Sequence, residues 1–277
     1  MPPGFSRLHG WRMMKTMPND ASIRSIDQLR ILVVDDHLIN RELLSTGLSR
    51  TVGRIDTAKN GPDAVDLCSR HDYDAILMDL HMPQMDGRTA ARLIRELDTP
   101  SARARMVALT ADTRPAQRAR LLKEDFDEYL NKPVSIAGLT AALRQLFRLP
   151  GPAGAMFRPD GPDRLIDPGS ALAATGDDAG LSHRLAAMFM DELEEKLPLL
   201  DDMLYRGDRH AAAGLLHQWA GSSGYAGAMR LSKACQRLHQ PLVSEDDESL
   251  TGIRYLHFLR IAHATRQALR HSLARVA

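Results

Sequence analysis

Cysteine is scarce in this chain, aromatic residues are few, and neither sign of charge prevails. The 277 residues include two cysteines, Cys68 and Cys235, far apart and in no metal-ligand spacing such as CxxC. That argues against a disulfide-stapled scaffold and a structural zinc module, and the thiols read as buried side chains in a reducing cytoplasm. No apolar run approaches the roughly 20 residues of a membrane span. Met1 to Asp20 lacks the continuous apolar stretch of a secretory signal. With 36 Lys and Arg against 35 Asp and Glu, the formal net charge is +1, far from the basic footprint of a nucleic-acid binder. The remaining composition, 44% hydrophobic, suits a globular protein with a sizeable core. The length allows one large domain or two ordinary ones.

From Leu29 onward short apolar runs alternate with amphipathic stretches. Ile31 to Val34 is an apolar run ending at Asp35 and Asp36, and a helical pattern follows through Leu38, Leu43, Leu44 and Leu48. Strands are expected at Arg54 to Ala58, Asp74 to Met78, Met106 to Leu109 and near Tyr129, with helices opening at Gly61, Arg88 and Val134 and one rich in Arg and Leu before Tyr129. Strand and helix alternating in this way mean parallel βα units, and near-continuous apolar strands fit a sheet covered on both faces. Polar residues sit at the carboxyl ends of the strands, where such sheets bind ligands: Asp35, Asp36, Asp79, Thr110 and Lys132.

The character changes after residue 148. Pro150, Gly151, Pro152, Gly154, Pro159, Gly161 and Pro162 punctuate a linker. Beyond it only helical periodicity remains, in four stretches that suggest an antiparallel bundle. The expected division is a flexible arm over 1–28, an α/β domain over 29–148, a linker over 149–163 and an all-α domain over 164–277.

Asp35, Asp36 and Asp79 converge if the βα reading holds, and crowded carboxylates need a cation. Hard oxygen ligands suit Mg2+. Lys132 adds a positive charge and Thr110 a hydroxyl. A carboxylate nucleophile beside metal, ammonium and hydroxyl suits phosphoryl transfer.

The stretches Ile31-Leu-Val-Val-Asp-Asp36, Met78-Asp-Leu-His-Met-Pro-Gln-Met-Asp-Gly87, Val107-Ala-Leu-Thr-Ala111 and Tyr129-Leu-Asn-Lys-Pro133 make residues 30–147 resemble a response-regulator receiver domain, with a flavodoxin-like five-stranded parallel sheet. The resemblance implies that Asp79 accepts the phosphoryl group. It implies that Asp36, Asp79 and the His81 backbone carbonyl bind Mg2+, with Asp35 helping through water. Lys132 would pair with the phosphoryl group, Thr110 and Tyr129 would act as the switch pair, and a cis bond would join Lys132 to Pro133. One departure is Asp125, where the family commonly has glycine; a slightly strained turn is expected there.

In the helical half, Leu215-Leu-His-Gln-Trp-Ala-Gly-Ser-Ser-Gly-Tyr225 sets His217 one helical turn before Gly221. Glycine costs about 1 kcal/mol in a helix, and here it is expected to leave the imidazole accessible as a nucleophile. With Phe189-Met-Asp-Glu-Leu193, Gly207-Asp208 and Gly227-Ala-Met-Arg-Leu231, the pattern resembles a four-helix histidine-phosphotransfer (HPt) domain with His217 as the phosphohistidine. Ala220 stands where that family usually has lysine.

Together the resemblances imply a phosphorelay protein rather than an enzyme with an ATP-binding core. A sensor histidine kinase would charge Asp79, and His217 would exchange phosphoryl with a receiver, on this chain or on a downstream response regulator. Two other readings stay open: a phosphorylation-switched binding regulator whose helical domain takes no phosphate, and the C-terminal piece of a hybrid sensor kinase. Neither nucleic acid nor membrane is an expected partner.

Overall fold

The computed structural model describes residues 25–110, 125–150, 165–244 and 248–274. The arm, most of the linker and the Arg- and Leu-rich helix before Tyr129 lie outside these residues.

The first domain carries β1 (Arg30–Val34), α1 (Leu38–Leu48), β2 (Arg54–Ala58), α2 (Gly61–Arg70), β3 (Ala75–Asp79), α3 (Gly87–Arg95), β4 (Arg105–Thr110), β5 (Glu128–Asn131) and α4 (Ile136–Leu146). The strands form one sheet in the order β2-β1-β3-β4-β5, with every pairing parallel. Side chains alternate across the strands. Ile31, Val33, Leu77 and Val107 face one core with α1 and α4, whereas Leu32, Val34, Ile76 and Met78 face the other with α2 and α3. Helix starts are set by side chains that satisfy orphan N–H groups: Asn60 accepts from Asp63, Asp86 from Thr89 and Ser135 from Gly138.

Because β1 and β3 are adjacent, their carboxyl ends bring Asp35, Asp36 and Asp79 to one rim. Gly87 keeps the loop after β3 tight: a Cβ there would lie 2.1 Å from the Asp79 carbonyl oxygen. The Lys132–Pro133 bond is cis. Asp125 departs from expectation. The non-glycine residues with positive φ among those described are Gln84, Arg148 and Asp177, so Asp125 turns the chain without left-handed strain. Its carbonyl accepts from Arg95 Nη2 at 2.9 Å.

The second domain is helical: α5 (Pro168–Ala174), α6 (Ala179–Tyr205), α7 (Arg209–Tyr225), α8 (Met229–Val243) and α9 (Glu248–Ala274). The long helices pack as α6 on α7, α7 on α8, and α9 on both α6 and α8. The short α5 is an addition to the four expected helices; Asp167 caps it and it packs on α6 and α7. Gly207, with φ +74, ends the α6 turn before Asp208 caps α7.

The two domains share one apolar core. Leu43, Leu44 and Leu139 of the sheet domain belong to the same buried cluster as Phe189, Trp219 and Phe258 of the bundle. Helix α1 packs directly on α6.

Candidate functional site

At the sheet rim Lys132 is buried between two carboxylates. Its Nζ donates to Asp35 Oδ2 and to Asp79 Oδ2, each at 2.7 Å. Asp35 also accepts from the His37 N–H at 2.9 Å and from Asn40 Nδ2, while Asp79 Oδ1 accepts from the His81 N–H. Burial would lower the Lys132 ammonium, but Asp35 and Asp79 outweigh it and hold the charge on. Burial is also the chief cause that pushes the Asp79 carboxyl above the usual carboxylate range, with Asp35 adding to it against the pull of Lys132. Asp36 is likewise raised, by burial and by Asp35. Thr110 is buried on the same rim, and Tyr129 is half-buried beside the core on the α2 and α3 face.

The acidic residues fit a hard divalent cation. One carboxylate oxygen from each of Asp35, Asp36 and Asp79 lies within 4.8 Å of the others. Asp36 Oδ1 is buried with no hydrogen-bond partner, an oxygen with a lone pair to give. Burial without enough positive charge is what raises these carboxyls, and a divalent ion supplies what is missing.

The bundle closes over this rim. Helix α7 lays His217, Gln218, Gly221 and Gly224 against it. Gln218 Nε2 donates to Asp36 Oδ2 at 2.6 Å, and the Val134 N–H donates to the Tyr225 hydroxyl at 3.2 Å. Across α1, His37 Nε2 meets both Glu192 oxygens at 2.8 and 3.0 Å. Glu192 also accepts from Lys196 Nζ and Trp219 Nε1. Burial would raise that carboxyl, but His37 and Lys196 outweigh it and hold it down at about 2.

His217 therefore lies between the domains. Its ring sits 4.5 Å, centroid to centroid, from His81 and 5.8 Å from His239. A ring nitrogen of His217, one of His81 and a carboxylate oxygen of Asp79 all fall within 4.8 Å of one another. Burial, then the positive neighbours His81, Lys132 and His239, push the His217 imidazole down to about 3, so it is neutral at pH 7 and keeps a lone pair to donate.

The expected open access to His217 is not what the structure holds. Its Nε2 is buried and lacks a hydrogen-bond partner, because the sheet domain covers it. The small residues of α7 serve close approach instead: a Cβ on Gly221 would meet Lys132 Cδ at 3.6 Å, and one on Gly224 would meet Pro133 Cβ and Cγ at 2.7 Å. Ala220, where the related pattern carries lysine, is buried. The positive charge near His217 is that of Lys132, which arrives from the other domain.

Sequence reasoning missed His37, Glu192, Gln218 and His239. Two of these adjoin singled-out residues, His37 after Asp36 and Gln218 after His217, and a search of motif neighbours would have found them. Glu192 and His239 become visible only through packing.

Two family models match. The "Response regulator receiver domain" covers residues 31–144 and the "Hpt domain" covers residues 184–277. Among curated proteins, the signal transduction histidine-protein kinase BarA of Escherichia coli K12 is 27% identical over 230 residues, 79% of this chain and 24% of BarA. The sensor histidine kinase GacS of Pseudomonas protegens is 28% identical over 235 residues, 81% of this chain and 25% of GacS. The sensor histidine kinase RcsC of Salmonella typhi is 36% identical over 124 residues, 45% of this chain and 13% of RcsC. The chain thus spans about a quarter of the length of the first two of these relatives. Among solved structures, the receiver domain of the sensor histidine kinase PA1611 of Pseudomonas aeruginosa, with a coordinated magnesium ion, is 33% identical; the match covers 44% of this chain and 98% of that one at a TM-score of 0.40. Among the described residues, no helix is long and apolar enough to cross a membrane.

Proposed function

We propose that this chain, a response regulator receiver domain followed by an Hpt domain, carries phosphorelay signalling by passing a phosphoryl group between Asp79 and His217 of the same molecule. The observation behind this reading is the gap of at most 4.8 Å between a carboxylate oxygen of Asp79 and a ring nitrogen of His217. A nucleophile approaches to about 3–3.5 Å before reaction; together with one bond from phosphorus to the Asp79 oxygen, that spans such a gap.

In this reading Asp79 takes a phosphoryl group as an acyl phosphate. The neutral His217 ring nitrogen attacks phosphorus, the N–P bond forms, the Asp79 O–P bond breaks, and the carboxylate leaves toward Lys132. Lys132 and Thr110 would hold the phosphoryl oxygens, and Thr110 and Tyr129 would report occupancy of Asp79. Asp35, Asp36, Asp79 and the His81 carbonyl would hold Mg2+, which offsets charge on the phosphoryl group when bound. Asp79 is only 2% exposed beneath α7, so a partner sensor kinase would charge it with the domains apart, and transfer would follow docking. A downstream receiver would then collect phosphoryl from His217 after the domains separate again. Docking so close to a reactive pair converts transfer into a unimolecular step.

The test is labelling with acetyl phosphate and Mg2+. Wild type should gain base-stable label, characteristic of phosphohistidine, with a half-time independent of protein concentration. His217→Ala should hold only base-labile label on Asp79, and Asp79→Ala none. Base-stable label persisting in Asp79→Ala, or never forming in wild type, would remove the in-chain relay and favour the binding-regulator reading.

Gln218 registers the two sites through its bond to Asp36. A hydrogen bond to a charged group contributes about 1.5–3 kcal/mol. Gln218→Ala is therefore expected to slow transfer by tenfold or more, and Gln218→Glu further, since a second carboxylate would face Asp36. Rapid-quench labelling measures both, and an unchanged rate in Gln218→Glu would show that this contact does not align the sites.

A further inference from the structure

We propose that Asp79, His81 and His217 form a transition-metal site that takes Zn2+ between the two domains and, while filled, blocks phosphoryl transfer. The three ligand atoms already lie within 4.8 Å of one another. Two are imidazole nitrogens, which suit Zn2+, whereas the neighbouring all-carboxylate group suits Mg2+. The two sites share Asp79 but select different ions by ligand type.

One carboxylate and two imidazoles make three protein ligands, the number found in open zinc sites that leave a fourth position to water. A second observation points to a ligand here: His217 Nε2 is buried and has no hydrogen-bond partner among the described residues. His81 is exposed at the rim. It gives the ion a path from solvent, and rotation of its side chain can cover the last distance toward bonds of about 2 Å.

Because the ligands come from both domains, the ion ties the receiver rim to α7. It also holds the oxygen that would carry the phosphoryl group and the imidazole that would attack it. Zn2+ and a phosphoryl group in transit cannot share that gap. The metal site rests on the docked arrangement that also supports the relay, so the experiment separates the two.

The full chain would be dialysed against Zn2+ with Mg2+ in large excess, as wild type, His81→Ala and His217→Ala, and the Zn2+-loaded wild type examined by X-ray absorption. We expect one tightly held Zn2+ per wild-type chain with two imidazole ligands. Each substitution should weaken it by more than about tenfold, a loss that changes outside the ligand set can already cause. Equal retention by all three proteins would place the ion on Asp35, Asp36 and Asp79 and overturn the proposal, as would failure of wild type to hold Zn2+ against Mg2+. If Zn2+ binds as expected while His217 never takes label from Asp79, the relay fails and the metal site stands. If label passes but Zn2+ ignores both histidines, the metal site alone fails.

Discussion

Gly224→Ala is expected to slow the passage of label from Asp79 to His217 by about 10²-fold, with acyl phosphate accumulating on Asp79. The added methyl would sit 2.7 Å from Cβ and Cγ of Pro133, well inside van der Waals contact. Proline ring atoms next to the backbone cannot rotate aside as the tip of a long side chain would. Pro133 is bonded to Lys132, whose ammonium is clasped by Asp35 and Asp79, so the rim cannot retreat without disturbing the acceptor. The bundle must tilt or withdraw instead. Misplacing reacting atoms by about 1 Å is enough to cost 10²-fold. Helix propensity works the other way, because alanine is better than glycine in a helix by up to about 1 kcal/mol. The helical domain should therefore melt no lower than wild type. Slower transfer without lower stability is a signature that general damage to the fold would not produce. Rapid-quench labelling beside thermal melts reads both, and transfer at the wild-type rate would mean that α7 does not meet the receiver along this face.

The parallel sheet was legible because buried strands are written as continuous apolar runs, so Ile31 to Val34 and Ala75 to Met78 announced themselves. The carboxylates at their ends followed from topology, since adjacent strands must bring Asp36 and Asp79 together. Domain docking was not legible. His37 and Glu192 are 155 residues apart, and no local pattern says that one will accept the other. Gly221 and Gly224 show why: small residues on a helix signal close approach, but the sequence does not say whether the approaching group is solvent, substrate or another domain. Solvent access was expected at His217, and the receiver rim is what arrives. Asp125 illustrates the reverse error, since a residue that tolerates left-handed backbone need not use it.

Asp79→Asn should abolish transfer to His217 and at the same time stabilise the metal-free protein. The Asp79 carboxyl is raised above its ordinary range chiefly by burial. In the unfolded chain it titrates near 4. Between that value and the higher folded one, the native state holds a proton that the unfolded state releases, so stability falls as pH rises through the window and the full penalty is present above it. Asparagine cannot ionise, keeps the shape, and still offers an oxygen to Lys132, whose charge Asp35 continues to balance. In chelator above the raised value the variant is expected to gain on the order of 1–3 kcal/mol, since each tenfold weakening of the acid on folding corresponds to about 1.4 kcal/mol. The gain should fade as pH falls toward 4 and shrink when Mg2+ is added to wild type, because the cation offsets the same repulsion. Urea midpoints of the receiver transition at pH 8 and pH 5, with and without Mg2+, measure this directly. A variant less stable than wild type in chelator at pH 8 would show that Lys132 already neutralises the site. The expected gain instead makes Asp79 a residue held at a cost in stability, because an ionised oxygen in a dry pocket is what a phosphoryl group can react with.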